Sequence, residues 1–185
     1  MPPPPPGTSL YFIALIPPTP FFEEAQALKE LFRDQYHSKA SLNSPPHITL
    51  HMPFQWKEVK EEKLENALRE FSTGKNSFSV FFNNFSCFAP KVIYIDIKPS
   101  ESLTTFQDEL HRFCKIELNL FNAQYRDLPF HPHLTLAFRD LKKDQFPMAW
   151  QEFKEKKFSG EFTIDKITLL KHDGKHWKSF QDFHF

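Results

Sequence analysis

Apolar residues fall into two rhythms along this chain: short runs of near-continuous or alternating hydrophobicity, and longer stretches where they recur every three or four positions. The first predicts strands and the second amphipathic helices. Residues 9–16 read as a strand closed by Pro17 and Pro18. Thr19 then predicts a cap for a helix whose apolar side carries Phe22, Ala25, Leu28, Leu31 and Phe32. A loop over 41–46 leads to a strand at 47–54, and 57–71 predicts a charged helix with Val59, Leu64, Leu68 and Phe71 on its apolar side. Phe78, Val80 and Phe82 alternate as in a strand, and 91–97 makes another after the break at Ala89 and Pro90. A helix is expected over 103–120, a loop through Asp127, Leu128 and Pro129, a strand at 133–138 and a short helix at 144–156. The stretches 161–170 and 177–185 predict a hairpin closed around Asp173 and Gly174. Before all of these, residues 1–8 form a proline-rich tail expected to be disordered, leaving 9–185 as a single bilobal domain.

The predicted order is β-α-β-α-β-β-α-β-α-β-β. Before and after about residue 90 the chain reads alike: strand, helix, strand, helix, strand. That pattern predicts an α+β fold of two pseudo-symmetric lobes, each an antiparallel-rich sheet with helices outside, enclosing a central cleft.

One phrase marks corresponding places in the two halves: Pro46-His47-Ile48-Thr49-Leu50 and Pro132-His133-Leu134-Thr135-Leu136. On a strand, His and Thr two apart share one face while the aliphatic residue between them enters the core. Two such strands facing one another would surround a cleft with two imidazoles and two hydroxyls. An ordinary imidazole titrates near 6.5, so one neutral and one protonated ring can coexist near neutral pH. Opening a phosphodiester needs such a pair, one group taking a proton from the attacking oxygen and the other protonating the leaving oxygen. Thr49 and Thr135 could donate to the non-bridging phosphate oxygens. The two histidines could exchange roles, so acid and base stay unassigned.

Composition narrows the alternatives. Four glycines leave no glycine-rich phosphate loop, and Lys plus Arg balance Asp plus Glu at 23 each, which argues against bulk nucleic-acid binding. Cys87 and Cys114 lack metal or redox spacing and fit a reduced, cytoplasmic protein. No apolar run is long enough to span a membrane and no signal peptide is evident. A metal site finds no ligand set: Pro132 separates His131 from His133, and His47 and His51 stand four apart, about 13 Å along a strand. Strand alternation puts His51 on the His47 face, where it reads as a partly exposed strand histidine. His37, His111, His172, His176 and His184 read as surface or packing residues.

The paired motifs, their separation and the duplicated α+β order resemble the 2H phosphoesterase superfamily, which includes the bacterial 2′-5′ RNA ligases and 2′,3′-cyclic phosphodiesterases. The resemblance extends from the first strand to the final hairpin. It implies His47 and His133 as acid and base, Thr49 and Thr135 as phosphate ligands, two lobes around a cleft, and no cofactor or metal. The expected protein is therefore a monomer that hydrolyses a nucleotide or RNA-terminal 2′,3′-cyclic phosphate or a 2′-5′ linkage. No obligate protein partner and no membrane are inferred. Ligation by the reverse reaction, or binding of an RNA end without turnover, are the alternatives. For substrate contacts the candidates are Tyr11, Tyr94 and Lys91, with Phe12 and Arg139 beside them, because each sits on or next to a cleft strand.

Overall fold

The computed structural model describes residues 4–121 and 129–185. In chain order these form β1 (Thr8–Leu15), α1 (Phe21–Tyr36), a 3₁₀ turn (Ala40–Asn43), β2 (Ile48–Lys57), a second 3₁₀ turn (Glu58–Lys60) and α2 (Glu61–Ser72). There follow β3 (Phe78–Phe88), β4 (Val92–Ile97), α3 (Glu101–Glu117), β5 (His133–Ala137), α4 (Gln145–Phe153), β6 (Ser159–Ile164), β7 (Lys166–His172) and β8 (Trp177–His184). Residues 127 and 128 of the loop expected before the second motif, and the start of the proline tail, lie outside the described residues.

The strands make one antiparallel sheet in the order β6-β3-β4-β5-β2-β1-β7-β8. Its two halves meet where β2 and β5 pair, through the single register pair Ile48 and Leu134. The α+β class and the two lobes are therefore as the sequence predicts, but the lobes interleave along the chain and do not divide near residue 90. β3 crosses to the half that holds β4, β5 and β6, while β7 and β8 return to complete the half that holds β1 and β2.

Alternation then decides what each face carries. Tyr11, Ile13, Leu15, Ile48, Leu50, Leu134 and Leu136 join the main core, which the helices cover. Phe12, Ala14 and Leu170 form a small cluster on the opposite face, with Ile16 and Trp177 against it. The helices cross over: α1, which follows β1, packs on β5 of the other half, and α3, which follows β4, packs on β2. Phenylalanines fill the corner between α1 and β6. There Phe21 lies 5.2 Å from Phe82 and 5.8 Å from Phe162, and a Cβ at Gly160 would sit 2.4 Å from its ring.

Several element boundaries differ from expectation for local reasons. Residues 161–170 are two strands, because Asp165 breaks the run: β6 pairs with β3 and β7 with β1 and β8. The β7–β8 hairpin turns at Asp173 and Gly174 as expected, with Gly174 at φ 98° and the Asp173 carboxylate accepting from the amides of Lys175 and His176. The helix expected from 57 starts at Glu61, since β2 continues to Lys57. Thr19 does not cap α1; its hydroxyl donates to Glu23 instead, and the first turn is closed from Pro18 and Pro20. α3 begins earlier than its apolar pattern because the Ser100 hydroxyl accepts from the Leu103 amide. At the N-terminus, Pro5 to Thr8 form a hydrogen-bonded turn, and the Gly7 carbonyl accepts from Glu58, so the ordered chain begins ahead of residue 9. Among the described residues no helix is long and apolar enough to cross a membrane.

Candidate active site

β2 and β5 are adjacent, so the two copies of the motif meet at the middle of the sheet. His47 lies just ahead of β2 and His133 opens β5; Thr49 and Thr135 follow on the same face, and all four line one cleft of about 380 Å³. Both imidazoles are held alike. His47 Nδ1 stands 2.7 Å from the Pro45 carbonyl and His133 Nδ1 2.8 Å from the His131 carbonyl, in each case two residues back. A carbonyl only accepts, so Nδ1 carries the proton in both rings and Nε2 is left with the lone pair. Burial pushes His47 down to about 4 and lowers His133 as well. Each ring can thus accept a proton at Nε2, and the hydroxyls beside them can donate to a bound oxyanion.

The walls are aromatic on both sides. On the β1 side Phe12 lies 4.8 Å from the His47 ring and 4.7 Å from Trp177, and His172 lies 4.9 Å from Trp177. On the β4 side Tyr94 lies 5.0 Å and Phe88 5.3 Å from the His133 ring. A third wall comes from the 3₁₀ turn, which contributes Ala40, Ser41 and Asn43, with Ser44 just beyond it. Asp140 ties that turn to the end of the second motif strand: its carboxylate accepts from the Ser38 hydroxyl and from the amides of Lys39 and Ala40, each at 2.9 Å.

The substrate candidates separate. Phe12 and Arg139 line the cleft, Arg139 in a left-handed turn (φ 56°) with its guanidinium 4.9 Å from the Phe138 ring. Tyr94 is on the cleft face but 2 % exposed, covered by Phe88 and His131, and its hydroxyl stands 3.2 Å from His131 Nε2. It supports His133 and offers no open surface. Tyr11 corrects the sequence reading. It belongs to the core on the other face, fully buried, with its hydroxyl donating to Glu61. Lys91 is exposed in the turn between β3 and β4 and does not line the cleft, although its neighbours Phe88 and Val92 do.

His51 is a second correction. The β1–β2 register pairs Thr49 with Ala14 but His51 with Ile13, so β2 uses an extra residue and its parity flips. Met52 faces the cleft in its place, and His51 is buried 5.4 Å from His111. Conversely His172, read as a surface residue, lines the cleft beside Trp177. Both come from the ends of the final hairpin, and nothing in their local sequence announces it. Among the described residues no three His, Cys, Asp or Glu side chains converge to hold a metal ion.

Comparison with known proteins places these features in context. The family model described as the 2′-5′ RNA ligase superfamily matches residues 17–176. A Bacillus cytotoxicus protein named "putative phosphoesterase" is 32 % identical over 143 residues, covering 76 % of this chain and 78 % of its own. One from Geobacillus kaustophilus with the same name is 28 % identical over 176 residues, 94 % of each chain. Among solved structures, TT0787 of Thermus thermophilus superposes with a TM-score of 0.66 at 16 % identity, covering 95 % of this chain and 97 % of that one. E. coli LigT complexed with 3′-AMP gives 0.62 at 15 % identity, covering 96 % and 98 %.

Proposed function

The chain belongs to the 2′-5′ RNA ligase superfamily, and from that premise we propose that it is a metal-independent phosphodiesterase acting on a nucleotide or RNA end, either a 2′,3′-cyclic phosphate or a 2′-5′ linkage. The observation that carries this reading is the pair of equivalent imidazoles. Both are fixed through Nδ1 to a carbonyl two residues back, and both line one cleft with a threonine hydroxyl beside each. A phosphate seated there has a proton acceptor and a proton donor for its entering and leaving oxygens. It also has two hydroxyls for the charge on its remaining oxygens.

In hydrolysis one Nε2 takes a proton from water as its oxygen bonds to phosphorus, and the other gives a proton to the departing ribose oxygen. The same groups run in reverse would join RNA ends, so the catalyst itself sets no direction. Phe12, Trp177 and His172 on one wall and Phe88 on the other suit the flat faces of nucleobases. E. coli LigT, complexed with 3′-AMP, with ATP and with NADP+ in separate structures, shares the fold and lends weight to a nucleotide as the ligand. The balanced overall charge fits a small nucleotide or a terminus better than a long duplex.

Incubation with 2′,3′-cyclic nucleotides, 2′-5′ oligoadenylate and RNA bearing a cyclic end, with product analysis, tests the reading. His47→Ala and His133→Ala should each lower turnover by about 10²–10⁴-fold with the circular dichroism spectrum unchanged. Activity kept in either variant, or abolished by a chelator in the wild type, overturns it.

A further inference from the structure

One end of the cleft is built from polar and cationic groups that the two-histidine chemistry leaves unused. β2 and β5 run antiparallel, so the chain entering β2 and the chain leaving β5 arrive at the same end. The first brings Ser41, Asn43 and Ser44 to the lining, and the second brings Phe138 and Arg139. Among the described residues that line the cleft, Arg139 is the only lysine or arginine. The turn that carries Ser41 is pinned on both sides. At its start the Asp140 carboxylate accepts from the Ser38 hydroxyl and from the amides of Lys39 and Ala40. At its end the buried ammonium of Lys29 donates to the Ser44 carbonyl at 2.6 Å.

Two groups on this pinned scaffold are left unmatched. Ser41 is 2 % exposed, and its hydroxyl has no hydrogen-bond partner among the described residues. A buried hydroxyl in that state is uncommon and destabilising. Ser41 lines the cleft, and rotation about χ1 brings the hydroxyl to an acceptor seated there. Arg139 stands in a left-handed turn, φ 56°, a conformation that side chains with a Cβ disfavour. Its guanidinium lies 4.9 Å from the Phe138 ring, and among the described residues no carboxylate pairs with it. Its neighbour Asp140 is occupied by the turn. A planar fork of N–H donors and a hydroxyl without an acceptor suit the oxygens of a phosphate.

Resting on the phosphodiesterase reading above, we propose that this end of the cleft is a second anion subsite, in which Arg139 and the Ser41 hydroxyl hold the phosphate on the 5′ oxygen of the terminal nucleoside. The 2′ and 3′ oxygens and the 5′ oxygen leave opposite sides of one ribose. A substrate whose cyclic phosphate lies between the imidazoles therefore offers its next phosphate one sugar further along the cleft. The aromatic walls of Phe12, Trp177 and Phe88 take the base, and the pinned turn takes the charge. The preferred substrate is then a terminus that keeps a 5′ phosphate, over a nucleoside cyclic phosphate with no second charge. That phosphate comes from one of two sources, the internucleotide linkage of an RNA end or the monoester of a nucleotide.

Three substrates test the subsite: adenosine 2′,3′-cyclic phosphate, the same compound with a 5′-phosphate, and a diadenosine dinucleotide ending in a 2′,3′-cyclic phosphate. Wild type should show a kcat/KM at least about tenfold higher on one or both of the phosphate-bearing substrates than on the bare one, chiefly through KM. An advantage on the 5′-phosphate alone assigns the subsite to nucleotides and one on the dinucleotide alone to RNA ends; either supports it. Arg139→Met and Ser41→Ala, each with an unchanged circular dichroism spectrum, should cut that ratio about fivefold or more, the bond to a charged group being lost in each. A ratio kept in a folded variant overturns that residue's part in the subsite. Equal turnover of all three substrates by wild type overturns the subsite alone. A wild type that turns over none of them overturns the phosphodiesterase reading, and with it the subsite that rests on it.

Discussion

Tyr11 and Phe12 are neighbours that serve different faces of the same sheet. Phe12 touches the His47 ring, whereas the Tyr11 hydroxyl donates to Glu61, which also holds Lys171 at 2.5 Å. Removing only that hydroxyl separates packing from chemistry. Tyr11→Phe should cost on the order of 1 kcal/mol in denaturant unfolding while kcat and KM stay unchanged; a drop in kcat would place Tyr11 in the catalytic machinery after all. The four motif residues were legible because strand parity needs only the residues themselves. Which of Tyr11 and Phe12 faced the cleft was not legible, since residues 10–15 are buried from one end to the other. In a strand covered on both faces, hydrophobicity no longer marks the inside.

At the scale of the element, the irregularity in β2 matters most. An alternating reading carries His51 into the cleft, but the extra residue turns it into the core, 2 % exposed, with Nδ1 donating to the Met52 carbonyl at 2.9 Å. A bulge leaves no mark in the hydrophobic pattern, and one extra residue turns every later side chain of the strand to the opposite face. The break at Asp165 escaped for a related reason: one polar residue inside a long apolar run looks like alternation. The buried His51 has a consequence for pH. Burial lowers it from an ordinary value near 6.5 to about 4, so the folded chain binds this proton less well than the unfolded chain. Its contribution to stability is complete above about pH 6.5 and is lost as the pH falls towards 4, and His47 behaves likewise. Denaturant unfolding over a pH series should show stability falling through this window by up to about 1.4 kcal/mol per pH unit for each histidine. His51→Met should remove one share of that slope; a slope unchanged in that variant would mean His51 is not the group responsible.

For the whole molecule, the duplicated β-α-β order and the doubled motif were enough to predict two lobes around a cleft. They could not show how the chain is routed between lobes, because strand pairing over such distances is set by packing and not by local pattern. The routing has its own consequence. Helices cross between the two halves of the sheet, α1 onto β5 and α3 onto both β2 and β3, so a cut near residue 90 parts α1 from β5 and β2 from α3. A fragment ending near residue 90 should be unstructured, and the intact chain should unfold in one step, with tryptophan fluorescence and far-ultraviolet circular dichroism giving coincident transitions. Separate transitions for the two signals would show the halves folding independently. The two motif histidines come from strands that pair only in the assembled sheet, so the cleft between them is expected to form only on complete folding.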